Sequence, residues 1–149
     1  MKGSLNTMNY LKPIGFFNKI KTFFSPHHGA DLETQYEIYS VRAFDFHIDF
    51  NSNGKAYFRY NDIPYETYSI YHLLNYLNKK GDACVRIVLD CDDKSVDKET
   101  RFYDYCSTIE KIYDKIHFFG GYRENDFKTI YKFKSLHLGG KIDWHYKLD

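Results

Sequence analysis

His27, His28, Asp45, His47 and Asp49 all lie in the stretch FSPHHGADLETQYEIYSVRAFDFHIDF, residues 24 to 50. Imidazole and carboxylate groups gathered this closely suit proton transfer, because histidine changes charge near neutral pH and a carboxylate can orient its ring. They also suit anion handling. His47 as imidazolium could contact a phosphate, and Asp45 and His47 together could hold a hard divalent ion such as Ca2+ or Mg2+. Phosphodiester cleavage needs this equipment. A base takes a proton from the nucleophile, an acid protonates the leaving oxygen, and positive charge stabilises the developing phosphorane oxygens. The plainer alternative makes His27 and His28 surface-loop residues, and Asp45, His47 and Asp49 a solvated strand face.

The elements that must position these groups follow from periodicity. Leu32 to Ser40 suits a short helix, with Asp31 as its cap and Glu33 in its first turn. The period then changes to two. In VRAFDFHIDF, Val41, Ala43, Asp45, His47 and Asp49 share one face, and Arg42, Phe44, Phe46, Ile48 and Phe50 share the other. NSNG at residues 51–54 signals a hairpin, KAYFRY a return strand, and Pro64 its end. Ile70, Leu73, Leu74 and Leu77 have helical spacing, and Gly81 stops that helix. ACVRIVLDC reads as a strand covered on both faces. A helix from about Asp97 to Lys115 buries Phe102, Cys106, Ile109 and Tyr113, and IHFFGG is a further short strand. The tail from Tyr122 carries no clear pattern. Strands alternating with helices imply parallel βα units with right-handed crossovers.

The 149 residues suit one domain, and a net charge of +1 supplies no general field for nucleic acid. Cys84, Cys91 and Cys106 form no CxxC pair, which points away from disulfides and zinc and toward a reducing compartment. MNYLKPIGFFNKIKTFF is cationic and aromatic, without the apolar run of a signal peptide. It suits a helix packed on the domain, with Pro13 near its first turn, or an interfacial helix at a membrane surface. The expected location is therefore cytoplasmic or peripheral to a membrane.

QYEIYSVRAFDFHI, then NGKAYFRYND, a helix and GDACVRIVLD resemble the N-terminal half of the phospholipase C-like phosphodiesterases. That superfamily includes bacterial phosphatidylinositol-specific phospholipase C and the glycerophosphodiester phosphodiesterases. The resemblance spans roughly Ser25 to Asp92. It implies a TIM-type barrel and two histidines acting as base and acid, with an arginine or a metal ion neutralising the phosphate. His27 or His28 occupies the place of the first catalytic histidine, and HHGA is similar to the HRGA opening of the glycerophosphodiesterases. Gln35 and Tyr36 match the helix before the key strand. Arg42, Phe44 and Asp45 match its R-x-F-D core. His47 stands where the bacterial phospholipases have arginine and the metal-dependent relatives have an acidic ligand. The second histidine should fall near Arg59 or Tyr60, and neither is histidine.

A complete barrel of this kind needs about 250 residues. The resemblance therefore implies an incomplete one, with residues 1–24 as an N-terminal amphipathic segment and 25–149 as a partial phospholipase C-like α/β domain. The implied activity is hydrolysis or lysis of a phospholipid or glycerophosphodiester. His27 and His28 are the catalytic candidates, Asp45 and His47 the phosphate or divalent-metal candidates, and Arg42 and Asp90 further candidates. The alternative is an inactive relative that binds a phosphorylated ligand or a partner chain, or self-associates through open sheet edges. Asp90, Asp92 and Asp93 follow an apolar strand, at the end where α/β sites form. His72, His117, His137 and His145 read as surface or structural residues.

Overall fold

The computed structural model describes residues 1–5, 7, 31–60, 63–65, 70–135 and 142–144. The cationic aromatic segment with Pro13, and His27 and His28, lie outside the described residues. So do His137 and His145. In chain order the elements are β1 (Gly3–Ser4), α1 (Leu32–Glu37), β2 (Ala43–Phe50), β3 (Ala56–Tyr60), β4 (Ile63–Pro64), α2 (Ile70–Lys80), β5 (Cys84–Leu89), α3 (Val96–Ile112) and β6 (His117–Arg123). They form a mixed α/β domain around one open sheet. β1, β2, β5 and β6 run parallel, while the β3–β4 ribbon is antiparallel to β2.

The parallel strands neighbour one another in chain order, and a helix lies on each connection. The three helices share one face. Leu32 and Tyr36 of α1, Leu73, Leu74 and Leu77 of α2, and Phe102, Cys106 and Ile109 of α3 join one cluster with Phe44, Phe46, Ile48, Val85, Ile87, Leu89 and Phe118. Each fully buried Leu, Ile or Phe side chain contributes about 1.5–3 kcal/mol, so this layer supplies most of the driving force. The other face is covered by the chain ends. Ala43 and Cys84 pack there with Ile142, Phe119 and Trp144. Gly3 N–H donates to Asp143 O at 2.9 Å, and Asp143 N–H donates to Met1 O at 2.8 Å.

Local chemistry fixes the boundaries. Asp31 caps α1, its Oδ1 accepting from Thr34 N–H at 2.8 Å. α1 stops at Glu37, earlier than the expected Ser40, and Ser40 itself sits at φ 58°. Ser95 caps α3, which therefore starts one residue before Asp97, and it ends at Ile112, with Tyr113 as C-cap, rather than at Lys115. Pro64 does not end the return strand. It pairs with Arg59 in the edge strand β4, where a missing N–H is tolerated. β6 also runs past its glycines to Arg123. Gly120 pairs with Ile87 and Tyr122 with Val88, so Gly121 is an extra residue bulged from the ladder. Its carbonyl accepts from Ile130 N–H at 2.8 Å and Tyr131 N–H at 3.0 Å, which folds the unassigned tail back along β6.

Gly121 and Gly81 both have positive φ, 75° and 82°, but differ in surroundings. A Cβ on Gly121 would lie 2.0 Å from Tyr131 O, whereas one on Gly81 meets nothing within 4 Å. Gly81→Ala should cost only the left-handed backbone penalty of about 1–2 kcal/mol. Gly121→Ala should cost clearly more and release the tail from β6. Urea unfolding of the two variants, with hydrogen exchange at Ile130 and Tyr131, tests this; equal losses would contradict the bulge.

Candidate functional site

β2 carries Asp45 and His47 to the face opposite the helices, and the parallel register sets Arg86 of β5 directly beside Asp45. The three side chains join. His47 Nε2 lies 2.8 Å from Asp45 Oδ2. Arg86 Nε donates to Asp45 Oδ1 at 2.8 Å. The backbone is held from the amino-terminal side: Asp45 N–H donates to Thr7 Oγ1 at 2.7 Å, and the Thr7 hydroxyl donates to Ser4 O at 2.7 Å. Gln35 of α1 braces Thr7, its amide donating to Thr7 O at 3.2 Å. The Arg86 guanidinium lies 4.3 Å from the Trp144 ring centroid, and the His47 ring meets Tyr60 edge-on at 4.7 Å.

Relative exposures of 0% for Asp45, 4% for His47 and 8% for Asp49 overturn the solvated-face alternative. Burial alone would raise the Asp45 carboxyl. The His47 charge and the hydrogen bonds from His47 and Arg86 override it and hold the group down to about 2. An ionised Asp45 can only accept, so His47 carries its proton on Nε2. In the neutral ring Nδ1 is then the lone-pair nitrogen. That atom is buried and has no hydrogen-bond partner among the described residues; Glu124 Oε2 is nearest in charge at 3.7 Å. A buried polar atom left unpaired costs about 1–3 kcal/mol, which makes it a natural point of attachment for a ligand or a proton. Burial, with the Asp45 and Glu124 charges, pushes the Tyr60 phenol up, so it stays protonated at neutral pH.

This geometry does not suit a divalent cation. Both Asp45 oxygens are engaged, one by a guanidinium that would repel the ion, and no group of three or more His, Cys, Asp or Glu is placed for a metal among the described residues. Asp45 and His47, the expected metal pair, are hydrogen-bonded to each other through Nε2.

The other described candidates are each bound by protein groups. Arg42 faces away from the cluster: its Nε donates to Asp82 Oδ2 at 3.1 Å, its Nη1 to Tyr36 O at 2.9 Å, and its Cζ stacks 3.7 Å from the Tyr36 ring centroid. Asp90 is bound by Arg59 through Oδ1 at 3.0 Å and its carbonyl at 2.8 Å, while Asp92 takes the second Arg59 nitrogen at 3.0 Å. Asp49 accepts from Lys98 Nζ at 2.7 Å and from the Tyr57 hydroxyl at 3.3 Å. His72 and His117 are exposed. Arg86, Tyr60, Glu124 and Thr7 were not among the expected residues. Only Arg86 left a signal: it is the one charge inside an apolar strand run, and a charge there needs a partner.

Asp45→Ala leaves Arg86 without its carboxylate and should cost about 3–5 kcal/mol, read as a lowered urea midpoint. The acid branch carries a second signature. Because the folded carboxyl titrates below its usual 3.8, the stability it confers is complete above that value and is lost as pH falls toward about 2. Circular dichroism across that range should show this limb in the wild type and its reduction in the variant; a variant as stable as the wild type would contradict the buried cluster.

Comparison with known proteins leaves the reading to these residues: no family model, no curated protein and no solved structure matches the chain.

Proposed function

We propose that the chain is a phospholipase C-like phosphodiester-cleaving domain, built from the βα units of an incomplete TIM-type barrel. The parallel strands in chain order and the helices on one face are the winding such a barrel uses, and the polar cluster lies on the face that would point inward. His47, held by Asp45 through Nε2, is the base, taking a proton at Nδ1 from water or a substrate hydroxyl. Arg86 supplies the guanidinium that neutralises the phosphate oxygens. One of His27 and His28 supplies the acid that protonates the leaving oxygen. The observation that carries this reading is the buried, unpartnered Nδ1 of His47, aligned by an ionised carboxylate beside a guanidinium.

A second reading is a phosphate-binding relative without turnover. It is favoured by Tyr60, which stands in the region of the expected second histidine and packs on His47, and by Arg59, which is committed to Asp90 and Asp92.

The test is head-group release from phosphatidylinositol vesicles and from a glycerophosphodiester by the purified chain. Turnover should persist in EDTA, because no step runs through a metal. His47→Ala should lose about 10²–10⁴-fold in rate, the usual contribution of a positioned acid or base. The double variant His27→Ala with His28→Ala should be impaired as well. Absence of wild-type turnover, with thermal stabilisation by glycerol phosphate, would select the second reading.

A further inference from the structure

A cavity of about 520 Å3 opens beside Arg86, between β5–β6 and the returning segment 129–135. Its volume falls in the range of about 300–1,000 Å3 typical of small-molecule sites and far exceeds what an inorganic anion fills. Its walls divide by chemistry. Arg86, Lys132 and Lys134 supply cations, Ser135 a hydroxyl, and Phe119 and Tyr122 a ring-faced floor; none of the described lining residues is acidic. Arg86 is ion-paired to the buried Asp45 through Nε, so the uncommitted positive charge on these walls is that of the two lysines. Arg86 makes its one hydrogen bond among the described residues through Nε, which leaves the Nη end of its fork available. The ammonium groups of Lys132 and Lys134 form no ion pair among the described residues.

The lysines are also held in place. Ile130 and Tyr131 N–H donate to Gly121 O, the Tyr131 hydroxyl donates to Glu110 Oε1 at 2.6 Å, and Lys134 N–H donates to Glu110 Oε2 at 2.9 Å. Phe133 stacks on Phe118 with 5.7 Å between centroids. Lys132 and Lys134 therefore flank an anchored ring rather than hanging from a free loop.

We propose that this pocket binds a phosphate monoester carrying a ring or other apolar portion. The phosphate lies between the Arg86 fork and the ammonium groups of Lys132 and Lys134, and the apolar portion rests on Phe119 and Tyr122. The two lysine charges match a dianionic phosphate, and the outer end of the Arg86 fork adds hydrogen bonds to its oxygens. This goes beyond the catalytic reading, because a monoester is not a diester substrate and binding needs no turnover. Arg86 links the two sites. An anion on its fork draws the guanidinium away from Asp45, and His47 registers the change.

The experiment is calorimetric titration of the full chain with 2-naphthyl phosphate and, separately, inorganic phosphate, plus sedimentation with phosphatidylcholine vesicles with and without a phosphatidylinositol phosphate. The naphthyl ester should bind at least about tenfold tighter than inorganic phosphate, and Lys132→Gln with Lys134→Gln should weaken it about tenfold or more. Those two head groups are exposed, so the double variant should keep the wild-type melting temperature. Binding should shift the imidazole NMR signals of His47. Binding of the soluble ester, or of the phosphorylated vesicle alone, supports the phosphate site and tells its source apart. No binding in either arm, or equal affinity in the double variant, overturns it. The result is independent of diester turnover, so failure here and failure of the catalytic reading are separable.

Discussion

A carboxylate with no exposed surface must be neutralised where it stands, and Asp45 organises the sheet around that requirement. One of its oxygens lies 2.8 Å from His47 Nε2 on the same strand, and the other accepts from the Arg86 guanidinium on the next. This works only if β5 lies parallel to β2 in the register that puts Arg86 opposite Asp45. A slip of one residue would turn Arg86 into the apolar helix layer and take the guanidinium from Asp45. The cluster thus specifies register strongly. It does not explain itself by stability, because an apolar trio of equal volume commonly holds a core as well or better. Three ionisable groups at this position ask for a chemical reason.

The contrast with the other polar groups sharpens the point. Arg59 spends its fork on Asp90 and Asp92, Lys98 closes on Asp49, and Arg123 closes on Glu99 and Asp126. These pairs tie the carboxyl ends of β2, β3, β5 and β6 to the loops and to α3. They read as braces, although Arg123 Nε is itself buried with no hydrogen-bond partner among the described residues. Within the Asp45 cluster two capacities are left over: the lone pair of His47 Nδ1 and the outer end of Arg86. One is a proton-handling atom and the other an anion-binding fork, and both lie on the face without helices.

The sequence made much of the framework legible and little of what covers it. Alternation in VRAFDFHIDF, the NSNG turn, the Ile70–Leu77 stripe and the Gly81 stop are short-range signals, and each corresponds to an observed element. Period-two alternation says which residues share a face but not whether that face meets water. Thr7 bonds the Asp45 backbone and Trp144 stacks on Arg86; the two lie nearly the full chain apart, so no local pattern could announce them. A strand as short as Gly3–Ser4 has no period to read. The Gly121 bulge was hidden for a related reason: the groups that bond its carbonyl are the Ile130 and Tyr131 N–H groups, nine and ten residues on. Arg86 was visible as an oddity in an apolar run, but its partner was fixed only by register.

On the proposed reading, the departures from the family pattern become related to one another. The resemblance implies an arginine or an acidic ligand at position 47 and an imidazole near 59 or 60. Here the imidazole is at 47, an aromatic ring at 60 packs against it, and the guanidinium comes from Arg86, one strand over. His47 and Arg86 lie on the same face of the sheet, on neighbouring strands. The substitution of His47 then cannot be judged by itself. An arginine at 47 would set two guanidinium groups against one carboxylate, with Arg86 already bound to it at 2.8 Å. A histidine at 47 avoids that second guanidinium and brings a ring nitrogen in its place. Position 47 and position 86 are therefore one electrostatic unit, and the identity of either makes sense only beside the other.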